Sequence, residues 1–146
     1  MPGRSPVMAF LRVIPLCAIL AASCMGGSRP DSRDVVINLF TAIRTSDTLF
    51  LRTQVDLKSA SQSVADELGA ATIPAEEQLL GALTGEGALR KRWLENQIVV
   101  GRSQVKEDTS WVEVSFIDRM TRIQYYNKMK LQFHGGQWVV TSFKTL

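Results

Sequence analysis

Between residues 123 and 133 the chain alternates without a break. Ile123, Tyr125, Asn127, Met129, Leu131 and Phe133 share one parity, and Gln124, Tyr126, Lys128, Lys130 and Gln132 share the other. Side chains of a strand point alternately to its two faces, so this run specifies a strand with one covered and one solvated face. It also fixes register, because a slip of one residue would turn the lysines inward. Gly135-Gly136 supplies a tight hairpin turn into a further strand, Trp138 to Phe143. Upstream, Ile98 to Val105 and Trp111 to Ile117 read as two more strands, the second with Val112, Val114 and Phe116 on one side. Four strands joined by short turns form an antiparallel meander, and its single polar face requires helices over the other.

The N-terminal half supplies those helices. Asp31 or Ser32 can cap a first one, with Asp34 adding negative charge in the opening turn. Val35, Val36, Leu39, Phe40 and Ile43 then recur at helical spacing. Thr45-Ser46-Asp47-Thr48 breaks the run and caps a second helical turn carrying Leu49, Phe50 and Leu51. Residues 58–75 are polar and Ala-rich, which predicts a weak helix ending at Gly69 and a turn at Pro74. A helix from Ala75 carries Leu79, Leu80 and Leu83, is interrupted by Gly85-Glu86-Gly87, and resumes with Leu89, Trp93 and Leu94. The fold class expected is α+β, with N-terminal helices packed on a curved C-terminal four-stranded meander, and the domain spans 33–146.

Ahead of this domain, Arg4 and Arg12 form a positive region, and Val13 to Ala22, interrupted by Pro15, an apolar stretch of about ten residues. That is too short to cross a hydrocarbon core of ~30 Å, and no later segment approaches the ~18 apolar residues a spanning helix needs. Residues 1–23 therefore read as a signal peptide. Leu20, Ala21, Ala22 and Ser23 before Cys24 resemble the lipobox of bacterial lipoproteins, which implies cleavage before a lipidated Cys24. The match departs from the usual pattern in placing Ala21, not Leu or Val, three residues before the cysteine. Ala21-x-Ser23 also suits an ordinary signal peptidase, which gives export into the periplasm or medium without an anchor. Residues 24–32, rich in Gly, Ser and Pro, read as a tether.

Charge and cysteines narrow the functions available. The chain has 17 Lys/Arg and 14 Asp/Glu; Arg4 and Arg12 lie in the leader, so 15 basic and 14 acidic residues remain, a net of +1. That balance argues against nucleic acid, whose binding needs concentrated positive charge. The run Arg90-Lys91-Arg92 reads as a solvated face near a helix end. The two cysteines are Cys17 and Cys24, and loss of the leader leaves one, so neither an intramolecular disulfide nor a cysteine metal cluster is expected. The single histidine, His134, abuts the Gly135-Gly136 turn on the polar parity and reads as a turn residue, not a catalytic base. Gly85-Glu86-Gly87 lacks the Lys-Ser/Thr of a phosphate loop. No metal and no cofactor is implied.

The succession of helices and meander, with Phe40, Ala42, Ile43, Asp47 and Leu51 in the opening helices and Trp138-Val139-Val140 after the Gly-Gly turn, resembles the nuclear transport factor two-like (NTF2-like) superfamily. The resemblance covers about 110 residues and implies a cone-shaped sheet around a pocket. Ketosteroid isomerases of that superfamily use a carboxylate base and hydrogen-bond donors inside the cone. Asp118, Tyr125 and Asn127 fall on the inward parity and are the residues such a pocket could use. The superfamily also pairs across its sheets, which marks Tyr126, Lys128 and Lys130 as an interaction face. The function expected is a lipid-anchored cell-envelope binding or interaction module without evident catalytic machinery, taking a small apolar ligand, a protein partner or a second copy. An isomerase- or dehydratase-like enzyme using Asp118 is the alternative. Lipidated Cys24 would tie the module to a membrane, the outer one in a host with two.

Overall fold

The computed structural model describes residues 27–68, 72 and 74–143, with side chains 66–68 left out. The leader and Cys24 lie outside the described residues. Five helices, α1 Ser32–Thr45, α2 Thr48–Gln54, α3 Leu57–Leu68, α4 Glu76–Leu83 and α5 Ala88–Leu94, precede four strands. These are β1 Asn96–Lys106, β2 Thr109–Asp118, β3 Gln124–His134 and β4 Gln137–Ser142, antiparallel in the order β1-β2-β3-β4. The fold is α+β, helices followed by an antiparallel sheet, with the cone form expected.

Local chemistry accounts for the element ends. The Asp31 carboxylate accepts the Arg33 N–H and caps α1; that of Asp47 accepts the Phe50 N–H and caps α2. Ser46 ends α1 in a left-handed conformation, φ 56°. Gly135 and Gly136 both have positive φ, 58° and 81°, as a two-residue turn with the twist of its strands requires. Gly87 is fixed by space, since a Cβ there would collide with the carbonyls of Gly81 and Ala82.

One core lies between the helices and the inner sheet face. Val36, Leu39 and Ile43 of α1 are fully buried, as are Val112 and Val114 of β2, Met129 and Leu131 of β3, and Val140 of β4. β3 keeps the expected parity, with Met129 and Leu131 inward and Lys128 exposed on the other side. Near α5 the core is aromatic. The Trp93 ring meets Phe40, Phe116 and Phe143 at 5.9, 5.8 and 5.2 Å between centroids.

Three features differ from expectation. The helix read as weak, α3, packs against β4 through Ala60, Ser61, Val64 and Ala65, all buried. The Ser63 hydroxyl donates to the Ala60 carbonyl and accepts the Phe143 N–H, tying α3 to the end of β4. Arg90 is more than a solvated charge. Its guanidinium donates to the carbonyls of Ile43, Arg44 and Gly85, at 2.9, 2.7 and 2.9 Å, and so caps the C-terminus of α1. Finally, the segment read as tether through Ser32 is held from Arg29 onward. Arg29 pairs with Asp108 at 2.8 Å and lies 4.6 Å over the Phe133 ring, and the Pro30 carbonyl accepts the Trp138 indole N–H at 2.7 Å.

Candidate functional site

At the end of the sheet where β1 begins, β2 ends and β3 begins, the C-terminus of α5 stands off the sheet and leaves a cleft of about 440 Å³. Trp93 and Phe116 give it an aromatic floor, continuous with the core, and Tyr125 and Asn127 of β3 form one side. Arg92 and Glu95 from the end of α5, Asn96 from the start of β1, and Asp118 place polar groups at its rim. An apolar floor with few polar groups around it is the usual make-up of a small-molecule site.

Parity positions these groups. Phe116 pairs with Tyr125, and Val114 with Asn127, across the β2–β3 ladder, so β3 presents both to the side that α5 covers. Toward the middle of the sheet the same parity is filled by Met129 and Leu131, which are fully buried. Tyr125 stands at the mouth and is 55% exposed. The half-buried Asn127 amide makes no hydrogen bond to another described residue, leaving its carbonyl and amino groups available in the cleft. Asn96, by contrast, donates to the Arg92 carbonyl at 2.8 Å.

Asp118 reaches this region but is occupied locally. Its Oδ1 accepts the N–H groups of Met120 and Thr121, at 2.8 and 2.7 Å, organising the turn into β3. The backbone bond from Thr121, then that from Met120, and the Thr121 side chain hold its carboxyl below the ordinary aspartate pKa. A general base for abstraction of a carbon-bound proton needs the opposite shift, produced by burial in apolar surroundings. Asp118 thus stands at the rim of the cleft, and the loop determines its chemistry.

On the outer sheet face, Tyr126 is 78% exposed, Lys128 is exposed and Lys130 half-buried. His134 is exposed beside the hairpin turn. Among the described residues no three of His, Cys, Asp and Glu come together as a metal site. Sequence reasoning did not bring Arg92, Glu95, Asn96 or Trp93 to the site. The signal available was only the aromatic Trp93 on the last turn of an amphipathic helix, without the approach of that turn to β2 and β3.

No family model and no curated protein matches the chain. Two solved structures are similar. A designed NTF2-like protein aligns with 77% of this chain and 93% of its own, at 19% identity and a TM-score of 0.53. An NTF2-like protein from Campylobacter jejuni, whose given name proposes a transpeptidase, aligns with 79% of this chain and 100% of its own, at 16% identity and a TM-score of 0.48. At these identities the likeness concerns the fold alone. The described residues, five helices followed by a four-stranded antiparallel sheet with a cleft at one end, have the NTF2-like cone fold.

Proposed function

We propose that the chain is a binding module of the bacterial cell envelope, held at a membrane by a lipid on Cys24, and that it takes a small, largely apolar ligand in the cleft over Trp93 and Phe116. The observation that carries the binding role is the Asn127 amide, which lines an aromatic-floored cleft without a hydrogen-bonding partner among the described residues. The amide is open to solvent at the cleft, where water or the polar group of a ligand can engage it. The condition of Asp118 favours binding over isomerase-like catalysis, since its Oδ1 serves a turn and its proton affinity is lowered. The export and anchoring part rests on the leader and the residues before Cys24.

Native mass spectrometry of the processed chain from its own host tests the first part. The expected result is a reproducible extra mass of a small molecule that Asn127→Ala and Tyr125→Ala lose while staying folded. Bare protein from several gentle preparations would count against a resident ligand. The second part is tested by Cys24→Ser, expected to abolish the acyl mass on the N-terminal peptide and to release the chain from membranes washed at high salt. Unchanged processing and retention under those conditions would remove the anchor.

A further inference from the structure

Six of the described cations gather on and beside the outer sheet face. Strand register puts Lys106, Lys128 and Lys130 on the outer sheet face, Arg102 of the β1 bulge reaches Glu113 there, and Arg119 and Arg122 extend the face through the β2–β3 turn. Two acids stand among them: Glu113 faces Arg102 at 3.9 Å and pairs in register with Lys128, and Asp118 has one carboxylate oxygen engaged by the Met120 and Thr121 N–H groups of the turn. Arg119 and Arg122 are exposed, make no ion pair with another described residue, and with Gln97 line a shallow groove of about 320 Å³. Apolar side chains stand among them. Met120 is 91% exposed, Ile123 52%, and Tyr126 of the adjoining strand 78%.

We propose that this face and turn form a docking surface for an anionic phospholipid bilayer. Arg119 and Arg122 take headgroup phosphates, while Met120 and Ile123 enter the boundary between headgroups and acyl chains. Charge complementarity selects the occupant. An isologous dimer through this face would lay each basic patch against its own copy, cation against cation. A wholly hydrophilic polyanion would leave Met120 and Ile123 in water. A phospholipid surface satisfies both sets of groups: guanidinium forks match phosphate oxygens, and interfacial apolar and tyrosine side chains are at home at that depth. The surface adjoins the cleft, whose rim it shares at Tyr126, and does not depend on acylation of Cys24. Together with a lipid it would make the second of the two signals that stable anchoring needs.

The test uses the exported chain bearing Cys24→Ser, which cannot be acylated there. It is mixed with vesicles of phosphatidylcholine alone or enriched in phosphatidylglycerol, and the bound fraction is read by co-sedimentation. The expected result is binding to the anionic vesicles only, weakening as salt is raised. Arg119→Gln with Arg122→Gln lowers the affinity about thirty-fold, and Arg119→Glu alone lowers it more than Arg119→Gln alone. Met120→Ser weakens binding without altering its salt dependence. Equal binding to the two vesicle types, no binding to either, or binding that the double arginine variant leaves intact overturns the proposal. A salt-resistant dimer that Tyr126→Ser converts to monomer, with no vesicle binding, would assign the face to a second copy instead.

Discussion

Trp93 is where fold and cleft depend on one side chain, and its removal has a calculable consequence. The ring is 4% exposed and makes edge or tilted contacts with Phe40, Phe116 and Phe143, so it joins α1, α5, β2 and the end of β4. Truncating a buried Trp to Ala costs ~3–5 kcal/mol, from lost transfer energy and the cavity left behind. Ring pairs add about 0.5–1.5 kcal/mol each beyond their area. Since three pairs are lost, Trp93→Ala is expected at the upper end of that range. For a domain with the usual ~5–15 kcal/mol of stability, this is a large fraction. Trp93→Phe keeps an aromatic ring with less reach and is expected to cost roughly 1–2 kcal/mol. Urea unfolding followed by circular dichroism measures both, as a lower midpoint at unchanged m. A cycle of Trp93→Leu with Phe143→Leu, in which each change removes a ring, isolates the closest pair, and a coupling of about 0.5–1 kcal/mol is expected. If Trp93→Ala costs less than about 1 kcal/mol, the ring is not the hub described. The seating of α5 over the sheet, and with it the floor of the cleft, would then be wrong.

Other perturbations test separate parts of the molecule. The hydroxyls of Ser32 and Ser110 are buried and 2.7 Å apart; Ser110→Ala should cost ~1–3 kcal/mol by stranding its partner, and adding Ser32→Ala should recover part of that loss in thermal unfolding. Arg90→Met, which keeps the stem but releases the Ile43 and Arg44 carbonyls at the end of α1 and that of Gly85 between α4 and α5, should lower stability by about 1–2 kcal/mol in urea. Because the Asp118 pKa is lowered on folding, its contribution is complete above the unfolded-state value and is lost as pH falls through the folded one. Acid titration of Asp118→Asn should therefore show a flatter loss of stability below the ordinary aspartate range than the parent chain. Trp138→Phe removes the donor to the Pro30 carbonyl and should raise hydrogen exchange around residues 29–33 before it affects the centre of β3.

The strands were legible nearly to their ends, and the reason is physical. β3 has one face against helices and one in water, so burial imposes a period of two that composition must follow, from Tyr125 and Tyr126 to Phe133. The helices carrying Leu39, Ile43, Leu80 and Leu83 were legible for the same reason at a period of 3.6. α3 was undervalued because its buried stripe, Leu57, Ala60, Ser61, Val64 and Ala65, has helical spacing but small side chains. Such residues add little to hydrophobicity while letting a helix approach a strand closely. The Ser61 and Ser63 hydroxyls satisfy themselves on the carbonyls of Leu57 and Ala60, so burial costs them no hydrogen bond. Arg90 was misjudged because its partners lie 46 and 47 residues away at the end of another helix. Of the cleft, parity revealed Tyr125 and Asn127, which share a strand. Trp93 and Arg92 come from α5, and only tertiary packing brings them there.

The two ends of the sheet are suited to different tasks, and the length of β2 keeps these apart. At the end where β2 starts, Arg29 and Pro30 are fixed to Asp108, Phe133 and Trp138. The cleft and the Arg119–Arg122 turn lie at the other end, beyond Asp118. Ten strand residues separate them by about 30 Å. The five Cα steps from Cys24 to Arg29 reach at most ~18 Å. A lipid on Cys24 would thus hold the first end near a membrane without covering the cleft. If the molecule stands upright, the arginine turn cannot reach that membrane; if the sheet lies along it, both the tether and the basic face touch it together. The geometry links the two proposals: anchored, acylated chain should show the β2–β3 turn protected from proteases on anionic membranes and open on neutral ones.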